Sequence, residues 1–258
     1  MSSIDKPKIA VTGPDNAGTT AWLFSAFNIW LSGGKAYRVT PKQFDGNTDY
    51  DGFIIGGGSD IHPDNYQKQN LPKVKRPLSL KLKEWLAYPL EFLHRFSKGG
   101  YDKPRDDMEI TFIDHALQQD KPILAICRGY QLLNARLGGK MYTSTLPLLR
   151  REMRIRSFFP RKKVIYTQDD SLISKIAGDD PLKVNALHSQ AVAQPGKDMQ
   201  VTGKEQSGIN QVTESAKSDR ILGVQWHPEY LFYMQAHRNI FNWLVCEASK
   251  STTERPAK

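Results

Sequence analysis

The chain has 258 residues, of which 39% are hydrophobic and 10% aromatic, so it can build a sizeable core and is not disordered throughout. Its two cysteines are too few for a disulfide framework. The N-terminus lacks an apolar signal core, and no stretch approaches the roughly 18 uninterrupted apolar residues of a membrane-spanning helix. These features predict a cytoplasmic protein without a transmembrane segment.

The net charge of +9 is concentrated in two segments. Residues 68–105 hold ten Lys and Arg against three acids, and residues 150–163 hold seven against one, so the remaining residues are net negative. A basic surface can attract nucleic acid, anionic lipid or an acidic substrate. The simpler interpretation, two solvated basic segments, is favoured here, and no nucleic-acid partner is expected.

The first part of the chain alternates between strand and helix patterns. Apolar runs closed by Gly or Pro predict strands over residues 8–12, 37–40 and 53–55. Between the first two strands, apolar residues at helical spacing predict a helix capped by Thr19 or Thr20. Such alternation favours a parallel sheet with helices on its faces.

Residues 67–104 interrupt this alternation with a basic segment that contains four prolines. We interpret it as an insertion or lid and not as a separate domain. Its basic character is compatible with recognition of an acidic substrate, which stays a hypothesis. Its aromatic residues Trp85, Phe92 and Phe96 leave peripheral contact with a membrane open.

Regular patterns return after the insertion. Asp106 and Glu109 have the spacing of a capping box and predict the start of a helix. Residues 5–248 are interpreted as a single domain and residues 249–258 as a flexible tail. The further predicted elements are a strand at 123–126, a helix at 128–137, strands at 164–166 and 221–224, and a last helix carrying residues 232–245.

Cys127 stands where an apolar strand, residues 123–126, meets the predicted helix, and Gly129 follows it closely. This pattern is typical of a nucleophile elbow, a sharp strand-to-helix turn that lifts a side chain above the edge of a sheet. A helix N-terminus also favours the thiolate, which is the reactive form of cysteine. The alternative, a buried structural cysteine, remains open from this segment alone.

A second segment combines His227, Pro228 and Glu229 directly after the apolar strand at 221–224. A histidine with an acid two residues further on can supply a general base and the carboxylate that orients it from one loop. By itself this tripeptide is weak evidence, because surface histidines are common. Together with the elbow, it predicts a cysteine nucleophile with a His-Glu pair.

Taken together, these segments resemble the class I glutamine amidotransferase-like hydrolases of the peptidase C26 type. Within that group, the chain looks most similar to the free-standing γ-glutamyl hydrolases, especially those like γ-glutamyl-γ-aminobutyrate hydrolase. Three further segments resemble that branch: the glycine loop at 57–66, Arg105-Asp106 with Glu109, and residues 184–190. The resemblance implies a flavodoxin-like fold, a three-layer α/β/α sandwich with a mostly parallel central sheet.

The resemblance also implies a reaction, the hydrolysis of a γ-glutamyl amide through a γ-glutamyl thioester. Cys127 would be the nucleophile, His227 its base, and Glu229 the residue that holds His227. The residues implied for the oxyanion hole are Gly57, Gly58 and Arg128, through their N–H groups. The residues implied for substrate binding are Asp60, Tyr66, Gln131 and His188.

Some positions depart from the pattern of the family. Ala125 stands where elbows of the family usually have Gly, and it should be tolerated if its φ is negative. Ala186 and Ser189 replace Ser and His in the substrate segment, and Gly56 replaces a usual Pro. These changes bear on the identity of the substrate more than on the reaction type.

Two other functions stay open from the sequence. One is a glutaminase that passes ammonia to a partner synthase, and the other is a regulatory or binding module with a relic triad. The other histidines form no metal-ligand spacing, so no metal and no cofactor are expected. Cys246 lies beside apolar residues of the last predicted helix and is expected in the core. The expected partner is a small γ-glutamyl substrate, and a homodimer remains open.

Overall fold

The structure is a computed structural model, and it describes residues 6–69, 101–145, 157–178 and 181–253. Most of the predicted insertion, including Trp85, Phe92 and Phe96, therefore lies outside the described residues. The first part of the second basic segment also lies outside them.

Twelve strands and five α-helices are formed by the described residues. The strands are β1 (Lys8–Thr12), β2 (Lys35–Val39), β3 (Gly52–Ile55), β4 (Gln67–Lys68), β5 (Ile123–Ile126), β6 (Lys140–Tyr142), β7 (Ser157–Tyr166), β8 (Leu182–Ala186), β9 (Ala191–Gln194), β10 (Met199–Glu205), β11 (Asn210–Ser215) and β12 (Ile221–Val224). The helices are α1 (Thr19–Leu31), α2 (Lys103–Gln118), α3 (Arg128–Arg136), α4 (Leu172–Ala177) and α5 (Gln235–Thr253).

The central sheet has nine strands in the order β2-β1-β3-β5-β12-β11-β10-β7-β8. The first five of these strands are parallel, and the last four continue the sheet with antiparallel pairings. A second, three-stranded sheet has the order β4-β6-β9. Because β3, β5 and β12 are parallel neighbours, the loops that follow their carboxyl ends meet at one edge of the sheet, where ligands bind in open α/β sheets.

Helices cover both faces of the sheet, which gives three layers. Alternate residues of a strand point to opposite faces, so Ile9 and Val11 of β1 lie in one core and Ala10 lies in the other. The first core also contains buried residues of α1, α4 and α5, and the second contains those of α2 and α3. The predicted three-layer α/β/α class is therefore confirmed, with a sheet that is parallel in the part carrying β5.

Two predicted helix caps differ from the structure. Helix α1 has Gly18 as its N-cap, in the left-handed conformation, and no side chain caps it, so the predicted Thr cap is wrong. Helix α2 begins at Lys103 and is capped by Asp102, whose side chain accepts from the N–H of Arg105 at 3.2 Å. The predicted capping box is therefore wrong, because Asp106 lies inside the helix and is buried.

Regular structure also extends into the ends of the predicted insertion and into the predicted tail. Gln67 and Lys68 form β4, and Lys103 already belongs to α2. Helix α5 continues to Thr253, beyond the start of the predicted tail at residue 249. Since most of the insertion is undescribed, the single domain over residues 5–248 stays a prediction.

Helix α5 is the longest helix of the described residues, with 19 residues, and it carries charged side chains such as Arg238 and Glu247. No helix in the described part of the chain is long and apolar enough to cross a membrane.

Candidate active site

The turn after β5 carries Cys127 in a conformation that few non-glycine residues adopt. Cys127 has a φ of 51° and a ψ of −101°. It lies between Ile126, the last residue of β5, and Arg128, the first residue of α3. Gly129 closes the turn, because a Cβ at that position would overlap the backbone carbonyl of Ile55. A strained residue held in this way is common at functional sites. The strand-turn-helix arrangement predicted for Cys127 is thus present.

The local sequence tolerates the departure at Ala125. This residue is fully buried in β5 and pairs with Ile55 on one side and Gly223 on the other. Its φ is not in the left-handed region, so the additional methyl group causes no backbone strain. Cys127 is only 7% exposed, and its N–H donates to the carbonyl of Val224 at 2.8 Å.

His227 and Glu229 lie together just beyond the carboxyl end of β12. His227 Nδ1 and Glu229 Oε1 are 2.8 Å apart, and because a carboxylate only accepts, Nδ1 carries the proton. Asn185 of β8 fixes the backbone of His227, accepting from its N–H at 2.9 Å and donating to its carbonyl at 2.8 Å. Because Nδ1 is bonded to Glu229, the hydrogen bond between His227 and Cys127 involves the other ring nitrogen, Nε2.

Electrostatics in this cluster favour a charged imidazole. Burial alone would lower the pKa of His227, but the charges of Glu229 and Cys127 and hydrogen bonds to both outweigh burial. They hold the pKa of His227 well above its ordinary value. A thiolate next to an imidazolium is the arrangement that activates a cysteine nucleophile.

The imidazole of His227 is also enclosed by its neighbours. The ring of Tyr230 stacks on it, with centroids 5.4 Å apart and planes at 24°. A Cβ on Gly57 would come within 2.5 Å of the Cε1 atom of His227, so only glycine fits at that position. The ring therefore has little freedom to turn away from Cys127.

A buried hydrogen-bonding network holds the glycine loop after β3. Arg105 of α2 donates to the carbonyls of Gly56 and Gly57 at 3.0 and 2.9 Å. Thr12 accepts from the N–H of Gly56 at 3.0 Å and donates to Glu109 at 2.7 Å. The peptide groups at Gly57 and Gly58 are thus fixed by side chains from two other elements.

The same network reaches the elbow helix. Arg128, the residue after Cys127, forms ion pairs with both Asp106 and Glu109, and all three side chains are buried. Burial raises the pKa of Asp106, whereas Arg105 and Arg128 outweigh the effect of burial at Glu109 and lower its pKa. The loop and the elbow, which carry all three predicted oxyanion-hole N–H groups, are therefore tied to one set of charges on α2.

The N–H of Arg128 lies in the first turn of α3, where backbone N–H groups have no partner within the helix. Gly58 has a φ of 154° on the neighbouring loop, and a Cβ there would overlap the guanidinium of Arg105. Glycine is required at this position for both reasons. The predicted donors Gly57, Gly58 and Arg128 thus lie on two segments that meet at Cys127 and His227.

Three of the four predicted substrate-binding residues converge on Gln190. Gln131 donates to the backbone carbonyl of Gln190 at 3.3 Å, and the Nδ1 atom of His188 lies 3.0 Å from the same oxygen. The hydroxyl of Tyr66 interacts with the Gln190 side chain, and Asp60 lies close enough to influence the pKa of Tyr66. The structure therefore brings the predicted set together, although Gln131 is buried and already bonded within the protein.

His188 is held in the neutral state. A carbonyl only accepts, so Nδ1 of His188 donates to Gln190, and Nε2 faces the side-chain amide of Gln211 at 3.4 Å. Burial is the largest effect on this ring and lowers its pKa to about 4. Glu205 and Lys162 also act on it, in opposite directions.

Some residues of the site were not predicted from the sequence. Gln225 donates to the Cys127 sulfur at 3.8 Å and accepts from Gln131 at 3.3 Å. Asn185 and Tyr230 contact His227 from a distant strand and from the turn after it. The alternation of polar and apolar residues before His227 could have indicated Gln225, but nothing local indicates which way Tyr230 turns.

Cys246 lies on the exposed side of α5, so the core position expected for it is wrong. Within the described residues, no group of three or more His, Cys, Asp or Glu side chains is arranged to hold a metal ion.

The sheet order, the elbow and the His-Glu pair define an α/β protein of the class I glutamine amidotransferase-like kind. The Peptidase C26 family model matches residues 91–229, more than half of the chain, and the chain belongs to that family. The resemblance stated from the sequence is thus confirmed at the level of family and fold.

Curated relatives agree with this assignment. A candidate glutamine amidotransferase of Schizosaccharomyces pombe is 29% identical over 200 residues, which cover 76% of this chain and 68% of the relative. The γ-glutamyl-γ-aminobutyrate hydrolase of Escherichia coli K12 is 27% identical over 150 residues, which cover 53% of this chain and 59% of the relative. Together with the family match, they support a hydrolase.

Solved structures show the same fold. A candidate GMP synthase component of Thermoplasma acidophilum aligns with a TM-score of 0.60 at 17% identity, over 96% of both chains. A glutamine amidotransferase of Thermotoga maritima aligns with a TM-score of 0.55 at 13% identity, over 97% of this chain and 100% of the other.

Proposed function

We propose that this chain hydrolyses γ-glutamyl amides, with Cys127 as the nucleophile, His227 as general base and acid, and Glu229 as the residue that orients His227. The observation that carries the proposal is the 2.8 Å contact between His227 Nδ1 and Glu229 Oε1 beside a cysteine at a strained elbow. The named activity of the Escherichia coli relative supports the choice of a γ-glutamyl amide.

The proposed reaction has two steps. His227 takes the proton of the thiol, the sulfur attacks the γ-carbonyl carbon, and the C–N bond breaks as His227 returns the proton to the amine. A γ-glutamyl thioester and a free amine result. His227 then deprotonates water, which attacks the thioester, and glutamate leaves as the thiol is restored.

The negative oxygen of each tetrahedral intermediate needs hydrogen-bond donors. We assign this role to the N–H groups of Gly58 and Arg128, with Gly57 as a further donor. Loss of one such donor typically costs about 3 kcal/mol of transition-state stabilisation. Gln131, His188, Asp60 and Tyr66 are assigned to the glutamyl group, because three of them converge on Gln190.

The test compares wild-type protein with Cys127→Ala on glutamine, γ-glutamyl-γ-aminobutyrate and a γ-glutamyl peptide, and measures glutamate release. Release should fall by about 10⁴-fold or more in the variant. Cys246→Ala, which removes the other thiol on the exposed side of α5, is the matched control and should retain full activity. Equal release by wild type and Cys127→Ala would disprove the proposal.

A second function is supported by the name of the Schizosaccharomyces pombe relative, a candidate glutamine amidotransferase. In that case the chain would release ammonia from glutamine for a partner synthase. Glutamine turnover that appears only with a copurifying partner would favour this function. Full activity of the isolated chain on another γ-glutamyl amide would exclude it, and no turnover in either condition would favour a regulatory module.

A further inference from the structure

An aromatic pocket opens beside the candidate active site. Its volume is about 400 Å³, enough for a small organic group. It is lined by Thr20, Phe24, Phe158, Phe159, Tyr230 and Tyr233. Five of these six described residues are aromatic and none of the six carries a charge, so this lining offers contact to an apolar group.

Tyr230 is the wall that the pocket shares with the proposed catalytic centre. One face of its ring stacks on His227, with centroids 5.4 Å apart. The ring also meets Phe158 at 5.6 Å and Phe24 at 5.8 Å. Burial raises the pKa of Tyr230, and the charges of Glu229 and Cys127 raise it further, so the pocket begins within electrostatic range of the thiol.

The chemistry of amide cleavage decides which part of a substrate lies there. His227 must hand a proton to the leaving nitrogen, so that nitrogen lies next to the imidazole when the C–N bond breaks. The substituent on that nitrogen then lies close to His227, one face of which is covered by Tyr230. In the proposed function, the glutamyl group lies on the other side of the carbonyl carbon, where Gln131 and His188 are assigned to it.

Several pocket residues are apolar groups that the free protein leaves in water. Phe158 is 63% exposed and Phe159 is 67% exposed, and both lie on β7 and line the pocket. Exposed apolar groups gathered around a concave site are typical of ligand-binding sites. Aromatic rings prefer stacked or edge-to-face partners, which an aryl group supplies.

We propose that this aromatic pocket binds the leaving amine and selects amines with an aromatic or bulky apolar substituent over small ones. This inference rests on the proposed function, because it assigns the leaving-group side of the same site. It names a substrate class, γ-glutamyl amides of arylalkyl or similar apolar amines.

The experiment measures kcat/KM for γ-glutamyl phenethylamide and for γ-glutamyl methylamide and takes their ratio. Wild type should prefer the phenethylamide by about tenfold or more, and Phe158→Ala should lower the ratio by roughly tenfold, the equivalent of about 1.4 kcal/mol. Trp30→Ala is the matched control, since Trp30 is equally exposed at 63% but does not line the pocket. It should leave the ratio unchanged.

A second pocket variant, Tyr233→Ala, keeps the test valid if Phe158→Ala does not fold. The circular dichroism spectra of both variants should match the spectrum of wild type. A wild-type ratio near one, or a ratio unaffected by both variants, overturns the inference while the proposed function stands. If wild type cleaves neither amide, calorimetric binding of the phenethylamide to Cys127→Ala tests the pocket, while glutamate release from glutamine, γ-glutamyl-γ-aminobutyrate and the γ-glutamyl peptide tests the proposed function separately. Binding that Phe158→Ala weakens about tenfold supports the pocket, and binding that it does not change overturns it.

Discussion

At the scale of single residues, the site depends on how each titratable side chain is surrounded. His227 is buried, yet the carboxylate of Glu229 and the sulfur of Cys127 raise its pKa. His188 is close by and partly buried, but it faces a carbonyl and an amide, so the effect of burial prevails and lowers its pKa. The same residue type is thus set for opposite protonation states by its partners.

Glu229→Gln should lower kcat for γ-glutamyl amide hydrolysis by about 10²- to 10⁴-fold, because the amide cannot stabilise the imidazolium and can favour the wrong tautomer. The pKa of His227 should fall in this variant, since the anion that raises it is gone. A pH–rate profile measures both effects. Glu247→Gln, which alters the ion pairs of Glu247 with Lys250 and Arg220, is the control, and a loss below threefold in Glu229→Gln would contradict the assigned role.

His188 should make the protein less stable in mild acid. Its pKa is lowered from 6.5 to about 4 by folding, so between these values the unfolded chain binds a proton that the folded chain does not. The contribution of His188 to the free energy of unfolding is therefore complete above pH 6.5 and is lost as the pH falls towards about 4. The loss is roughly 1–3 kcal/mol, because the ring is partly exposed. Urea unfolding at several pH values should show a shallower dependence in His188→Gln, and an unchanged slope would refute the prediction.

At the scale of elements, the elbow requires close contact between α3 and the end of β3. Gly129 is packed against the carbonyl of Ile55, and Gly57 is packed against His227. These two glycines are needed because another side chain would occupy the same space, not because of unusual backbone angles. Both glycines are thus required by contacts between elements that are distant in sequence.

Gly129→Ala should lower the free energy of unfolding by about 3 kcal/mol, because its Cβ would overlap the backbone of β3 and α3 would have to shift. Gly13→Ala is the matched control at the end of β1, where a Cβ meets nothing within 4 Å. Chemical denaturation measures both variants. Equal stability of the two would show that the elbow can relax.

At the scale of the whole molecule, a buried set of charges joins α2 to the glycine loop and to the elbow. Arg105 and Arg128 face Asp106 and Glu109, and each carboxylate is bonded to at least one guanidinium. Removing one member of such a buried set leaves its partners charged without compensation, which is strongly destabilising. The network therefore ties the position of the proposed oxyanion donors to the stability of the fold.

Arg128→Met should lower the free energy of unfolding by about 3 kcal/mol or more, because Asp106 loses its guanidinium partner. Arg136→Met is the control on the same helix. Arg136 pairs with Asp114 at 2.6 Å, but its side chain is 47% exposed, so its loss should cost less than about 1 kcal/mol. Guanidinium unfolding compares the two, and similar losses would argue against a special role of the buried network.

Sequence patterns were sufficient where the signal is local. The apolar run before Cys127, the glycine after it and the spacing of His227 and Glu229 indicated the elbow and the pair directly, because neighbouring residues alone form them. Strands β8 to β11 were not predicted. Polar residues interrupt their apolar patterns. Strands β8, β10 and β11 lie at the antiparallel end of the central sheet and β9 in the second sheet, and β9 and β10 each pair with a strand that is not their neighbour in sequence.

The sequence by itself determined the family, the α/β class and the residues of the proposed triad, since each rests on short segments whose chemistry and spacing are local. Tertiary structure decided the rest. Asp106 and Glu109 have capping-box spacing, yet they bind Arg128, because folding packs α2 against the elbow helix. Likewise, Phe158 of β7 and Phe24 of α1 both contact Tyr230 only in the folded chain, because such contacts between distant segments leave no periodic signal in the sequence.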